Sequence, residues 1–75
     1  MALVAELKRM TLEREAPHRE VDCTYSIITD VVGRKFLQVD TYGSSGRKFK
    51  GKKSQSIRLS PEAIKQLKRI IESEL

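Results

Sequence analysis

The chain has 75 residues, with 15 Lys and Arg against 10 Asp and Glu and a net charge of +5. That length holds one domain with a thin core, since a chain this small buries only about 60% of the surface it exposes when unfolded. One cysteine (Cys23) excludes an intrachain disulfide, one histidine (His18) leaves too few ligands for a structural zinc site, and no uncharged run is long enough for a transmembrane helix.

Residues 2–15 (ALVAELKRMTLERE) read as a helix. Leu3, Leu7 and Met10 recur at helical spacing with no Gly or Pro, and Pro17 should end the element. The apolar start, Met1 to Val4, is followed at once by Glu6, Lys8 and Arg9, so no signal-peptide core fits there. The expected location is the cytoplasm, or the nucleoid in a bacterium, where a single reduced cysteine is ordinary.

Residues 20–30 alternate: Val21, Cys23, Tyr25 and Ile27 share one face of a strand, and Asp22, Thr24 and Ser26 the other. Residues 30–34 (DVVGR) read as a hairpin turn, with Gly33 where positive φ is needed. A second strand spans 34–42. Leu37, Val39 and Thr41 form its core side, and Arg34, Phe36, Gln38, Asp40 and Tyr42 its outer side. The Gly-, Ser- and Lys-rich stretch 43–54 reads as a loop, and 55–59 (QSIRL) as a short third strand.

The C-terminal helix carries the strongest local signal. Ser60 is an N-cap, Pro61 occupies the first helical position and Glu62 suits the helix dipole. Ala63, Ile64, Leu67, Ile70 and Ile71 then make a broad apolar stripe that can cover Leu37, Val39, Ile57 and Leu59. The expected fold is α+β: an antiparallel three-stranded β-meander followed by a C-terminal helix, with an extra N-terminal helix (α-β-β-β-α). Residues 1–16 would be a helical extension and 20–75 the domain proper.

Charge is unevenly placed. Residues 1–30 hold four cations against six anions, residues 31–58 eight cations against Asp40 alone, and residues 59–75 three of each. The positive excess therefore lies on the second strand, the loop and the third strand, which points to a polyanionic partner. Phe36 and Tyr42 on an open sheet face can stack unpaired bases. Arg34, Lys35, Arg58 and the loop residues Arg47, Lys48, Phe49, Lys50, Lys52 and Lys53 can meet phosphates and bases. Catalysis has little support. Cys23 alternates with core residues and reads as a buried structural cysteine, His18 sits in a polar junction, and Asp22, Asp30 and Asp40 show no paired-carboxylate spacing. The glycines at 43, 46 and 51 do not form a phosphate-loop pattern. The expectation is a protein that is not an enzyme and uses no cofactor or metal.

From Tyr25 to Ile71 the chain resembles the positive-cofactor-four family of transcriptional coactivators. The likeness lies in an order of features: a turn glycine and a basic residue (Gly33, Arg34), an alternating strand ending in tyrosine (FLQVDTY, 36–42), a Gly- and Lys-rich loop, a short strand (SIRLS, 56–60) and the helix entry LSPEAIKQLKRI (59–70). The resemblance implies a homodimer that grips single-stranded DNA with little sequence preference; RNA is the other expected ligand, and no membrane partner is expected. With no disulfide or metal to staple so small a core, the expected dimer contact is the C-terminal helix. Carried over by position, Arg34, Phe36, Tyr42, Lys48, Lys50, Lys52, Lys53 and Arg58 would touch the strand. The chain departs from the family in its opening segment and in having Gly43 where an aromatic often follows the tyrosine. Two other functions fit the pattern. The order α-β-β-β-α suits a double-stranded-RNA-binding domain, although the last helix opens with Lys65 alone where that family has a lysine cluster. A dimeric protein-interaction module, with basic residues serving solubility, fits as well.

Overall fold

In the computed structural model, residues 1–43 and 53–75 are described. Four strands, β1 (Ala2–Val4), β2 (Cys23–Thr29), β3 (Lys35–Tyr42) and β4 (Lys53–Leu59), precede one helix, α1 (Pro61–Glu74). They form a single mixed sheet in the order β1-β4-β3-β2. Strands β2, β3 and β4 make the antiparallel meander, and β1 joins it in parallel beside β4, with Leu3 opposite Arg58. The fold is thus α+β, with four strands among the described residues and not three.

The expected N-terminal helix over 2–15 does not form. Only Ala2–Val4 is regular, and it is a strand. The physical reason is competition. A single thin apolar stripe does not hold a short helix in water, where helices below about 12–15 residues are marginal. The edge of β4 offers Ala2–Val4 a ladder of hydrogen bonds instead. The chain then runs along the helix: the Ser60 N–H donates to the Val4 carbonyl (3.0 Å) and the Ser60 hydroxyl to that of Ala5 (3.3 Å). The Gln66 amide accepts from the Leu7 N–H (2.8 Å) and donates to the Leu7 carbonyl (3.2 Å). Arg9 pairs with Glu74 near the end of α1. Side chains of α1 thereby satisfy backbone that would otherwise have bonded within its own helix.

The β2–β3 hairpin forms as its residues dictate. Gly33 takes φ of +87°, and its N–H donates to the Asp30 carbonyl (3.1 Å). The Asp30 carboxylate accepts from the Val32 N–H (3.0 Å), the Arg34 N–H (2.9 Å) and the Arg34 guanidinium (2.9 Å), an Asx-type closure of the turn. The helix start also follows the sequence. Ser60 caps it, its hydroxyl accepting from the Ala63 N–H at 3.1 Å, with Pro61 and Glu62 behind. Helix α1 packs against β3 and β4, and the apolar residues buried among the described ones, Leu59 and Ala63, flank the β4–α1 junction. The apolar face of the sheet is left partly uncovered: Tyr25, Ile27 and Ile57 are exposed. Cys23 is exposed too, not buried as its alternation suggested, because β2 is an edge strand that α1 does not cover.

Candidate nucleic-acid interface

Side chains alternate along β3, so Phe36, Gln38, Asp40 and Tyr42 project from one face of the sheet. Register places Ile28, Ser26 and Thr24 of β2 beside Phe36, Gln38 and Asp40, and Arg58 and Ser56 of β4 on their other flank. Lys53 joins them through an irregularity. Between Thr41 and Tyr42 the pairing shifts by one residue, so Tyr42 lies opposite Lys53 instead of Ser54. A bulge of this kind re-aims a side chain, and it brings the Lys53 ammonium to 3.4 Å from the Asp40 carboxylate.

The centre of this face is a connected polar ladder. The Arg58 guanidinium donates twice to Gln38 Oε1 (Nη2 at 2.6 Å, Nε at 3.2 Å), which fixes the amide. Gln38 Nε2 in turn donates to both Asp40 oxygens (3.1 and 3.3 Å). The Ser56 hydroxyl donates to Asp40 Oδ1 at 2.5 Å. Gln38 and Asp40 are only 7% and 3% exposed, so the one anion among the cations of the middle segment is covered, hydrogen-bonded by Gln38 and Ser56 and paired with Lys53. The Ser56 hydroxyl is the main reason the Asp40 carboxyl is held below the usual carboxylate range. Desolvation opposes it, and Gln38 and Lys53 reinforce it. Among the described residues no buried side-chain polar atom lacks a partner.

At one end of the ladder, Phe36 is half-buried and the Arg34 guanidinium lies 5.8 Å from its ring centroid. Arg34 is also paired with Asp30 at 2.9 Å. Met1, Leu3, Ile28, Phe36 and Arg58 line an open groove of about 400 Å³ that also reaches Ala2 and Asp30. At the other end the Tyr42 hydroxyl is 3.1 Å from Thr24 Oγ1, which ties the ring to β2.

Arg34, Phe36, Tyr42, Lys53 and Arg58 are thus brought to one face. Lys35 is not: it alternates with Phe36 and projects from the opposite side. Arg47, Lys48, Phe49, Lys50 and Lys52 lie outside the described residues. Sequence reasoning did not anticipate the covered Gln38–Asp40 pair, the aim of Lys53 or the wall supplied by Met1 and Leu3. Only the pair left a signal, in the matched polar alternation of Gln38 and Asp40 with Ser56 and Arg58. His18 is exposed, as is Cys23. No group of three or more His, Cys, Asp or Glu that could hold a metal occurs among the described residues. None of their helices is long and apolar enough to cross a membrane. No protein-family model matches the chain, and neither a curated protein nor a solved structure matches it.

Proposed function

We propose that the chain is a single-stranded nucleic-acid-binding protein that works as a homodimer. The strand would lie on the face of Phe36, Tyr42, Arg58 and Lys53, with the 47–52 segment as a further source of cations. The observation that carries this reading is the groove beside Phe36, where apolar walls and a flat ring meet a guanidinium held in place by Gln38. An unpaired base can stack on such a ring, and a phosphate can take the free edge of the guanidinium. The ladder supports the same reading, because Asp40 is covered and does not repel a polyanion directly. Binding would be largely independent of sequence, since phosphate contacts and stacking carry no base code. The resemblance of residues 25–71 to positive-cofactor-four proteins agrees with it.

The homodimer is supported by the surface left open. Among the described residues two hydrophobic residues are buried, while Ile71 on α1 and Ile57 on the neighbouring β4 are exposed. The radius of gyration is 14.6 Å, against about 11 Å for a compact domain of this length. A second copy against α1 would cover apolar area that one chain leaves in water.

The test is anisotropy of labelled single-stranded DNA, duplex DNA and duplex RNA across a salt series. Single strand should bind most tightly, and Phe36→Ala should weaken it by about 1–3 kcal/mol, the value of one stacked base. No single-strand binding at low salt would overturn the reading, and a preference for duplex RNA would replace it with a double-stranded-RNA function. The latter drew on an opening helix, where the chain has a strand.

A further inference from the structure

The outer edge of β2 carries information independent of the nucleic-acid reading. The β2–β3 ladder is bracketed by two bonds: Tyr42 N–H to the Asp22 carbonyl, and Asp30 N–H to the Arg34 carbonyl, both 3.0 Å. In an antiparallel pair, hydrogen-bonded and non-hydrogen-bonded residues alternate. The register is uninterrupted from Cys23 to Thr29. Asp22, Thr24, Ser26, Ile28 and Asp30 therefore turn their backbone groups toward β3. Cys23, Tyr25, Ile27 and Thr29 turn theirs outward, where no other strand of the described residues lies. Edge strands are normally blunted by charge, proline, a bulge or brevity. This one has seven residues, CTYSIIT, with none of those devices, and Tyr25 and Ile27 are 74% and 58% exposed.

We propose that this edge pairs with the β2 edge of a second copy of the chain, antiparallel about a two-fold axis at Ser26. That register sets Tyr25 against the second copy's Ile27, and Cys23 against its Thr29. Every outward group is used in four hydrogen-bonded pairs, about eight bonds in all. Strands of the same sequence are self-complementary in this arrangement, as a two-fold contact requires. The apolar side chains Tyr25 and Ile27 cross-pack on one face, and the small Ser26 meets its own copy on the other. At the ends Asp22 falls opposite Asp30 of the second copy, a like-charge contact that the Arg34 guanidinium, 2.9 Å from Asp30, offsets in part. The contact lies away from the helix surface invoked for the dimer, so the two together would build an assembly larger than a dimer.

The experiment is residue-resolved amide exchange by NMR on the full chain, in dilute and concentrated solution, with sedimentation velocity on the same samples. In the concentrated sample the Tyr25 and Ile27 amides should exchange on the order of tenfold more slowly than in the dilute one, with Ser26 and Ile28 protected in both. Ile27→Lys should abolish that extra protection and remove the largest species while sparing any helix-mediated dimer. Free exchange of Tyr25 and Ile27 at every concentration, with Ser26 and Ile28 protected, would overturn the proposal. So would protection of Tyr25 and Ile27 that persists where the chain sediments as a monomer. Should Ile27→Lys fail to fold, the dilution series of the native chain decides the matter alone. Neither outcome depends on nucleic acid.

Discussion

Asp40 is the residue on which the polar face turns. A carboxylate at 3% exposure is costly unless it is paired and hydrogen-bonded. Here Ser56, Gln38 and Lys53 supply the partners, and Arg58 orients Gln38. Its pKa is depressed in the folded chain. The unfolded chain therefore takes up the proton first on acidification. Asp40 contributes stability that is full above the ordinary carboxylate range and drains away as pH falls through its folded value. Ser56→Ala removes the largest cause of the shift, so an NMR titration should find the Asp40 carboxyl moved up toward the ordinary value. The part of the acid loss of thermal stability that Asp40 carries should shrink with it, since the folded and unfolded values draw together. Asp30 behaves with the same sign: against desolvation, the Arg34 and Val32 N–H groups and the Arg34 guanidinium hold its pKa down. Asp30 and Gly33 were legible as turn chemistry, because an Asx closure and a positive φ are local matters. The covering of Asp40 was not, because two of its partners, Ser56 and Lys53, sit on another strand.

The elements divide along the same line. Helix α1 follows from its own residues: Ser60, Pro61 and Glu62 set its start, and Ala63, Ile64, Leu67 and Ile70 set its inward face, with Ile71 of the same stripe left exposed. Ser60→Ala should destabilise the chain by about 1 kcal/mol through the lost cap. The measured loss, from urea unfolding, should exceed that of an ordinary surface substitution, because the same hydroxyl also binds the Ala5 carbonyl. Strand β1 is the opposite case. Its residues favour a weak helix on periodicity, and it becomes a strand because Ile57, Arg58 and Leu59 present an unfilled edge. The bulge at Thr41/Tyr42 is likewise invisible in the chain, yet it decides which way Lys53 points.

For the whole molecule, the question is what covers the apolar surface and what the basic segment holds. If two copies meet through α1, Ile71→Glu should shift sedimentation toward the monomer, since Ile71 is 49% exposed on that helix. Secondary structure, followed by circular dichroism, should be retained. If the cations of the 31–58 segment neutralise phosphates, changing Lys48, Lys50 and Lys52 together to Ala should weaken single-strand binding. It should also reduce the slope of log affinity against log salt by about 2, at about 0.7 per phosphate contact. That variant leaves the Lys53–Asp40 pair in place. An unchanged slope would assign those lysines to solubility alone.

The sequence by itself determined the hairpin at Asp30–Arg34, the strand alternation around it, the capped C-terminal helix and the concentration of charge in residues 31–58. Each depends on neighbours within a few positions or on composition, which the chain carries without folding. Tertiary structure alone decided that Ala2–Val4 would be a strand, that Gln38 and Asp40 would be covered and that Lys53 would turn to meet them. It also decided that the Cys23–Thr29 edge would be left open. Those outcomes depend on which strand edge is vacant and which side chains a register brings opposite, and the energy of pairing across the sheet exceeds the weak preferences of the isolated segments.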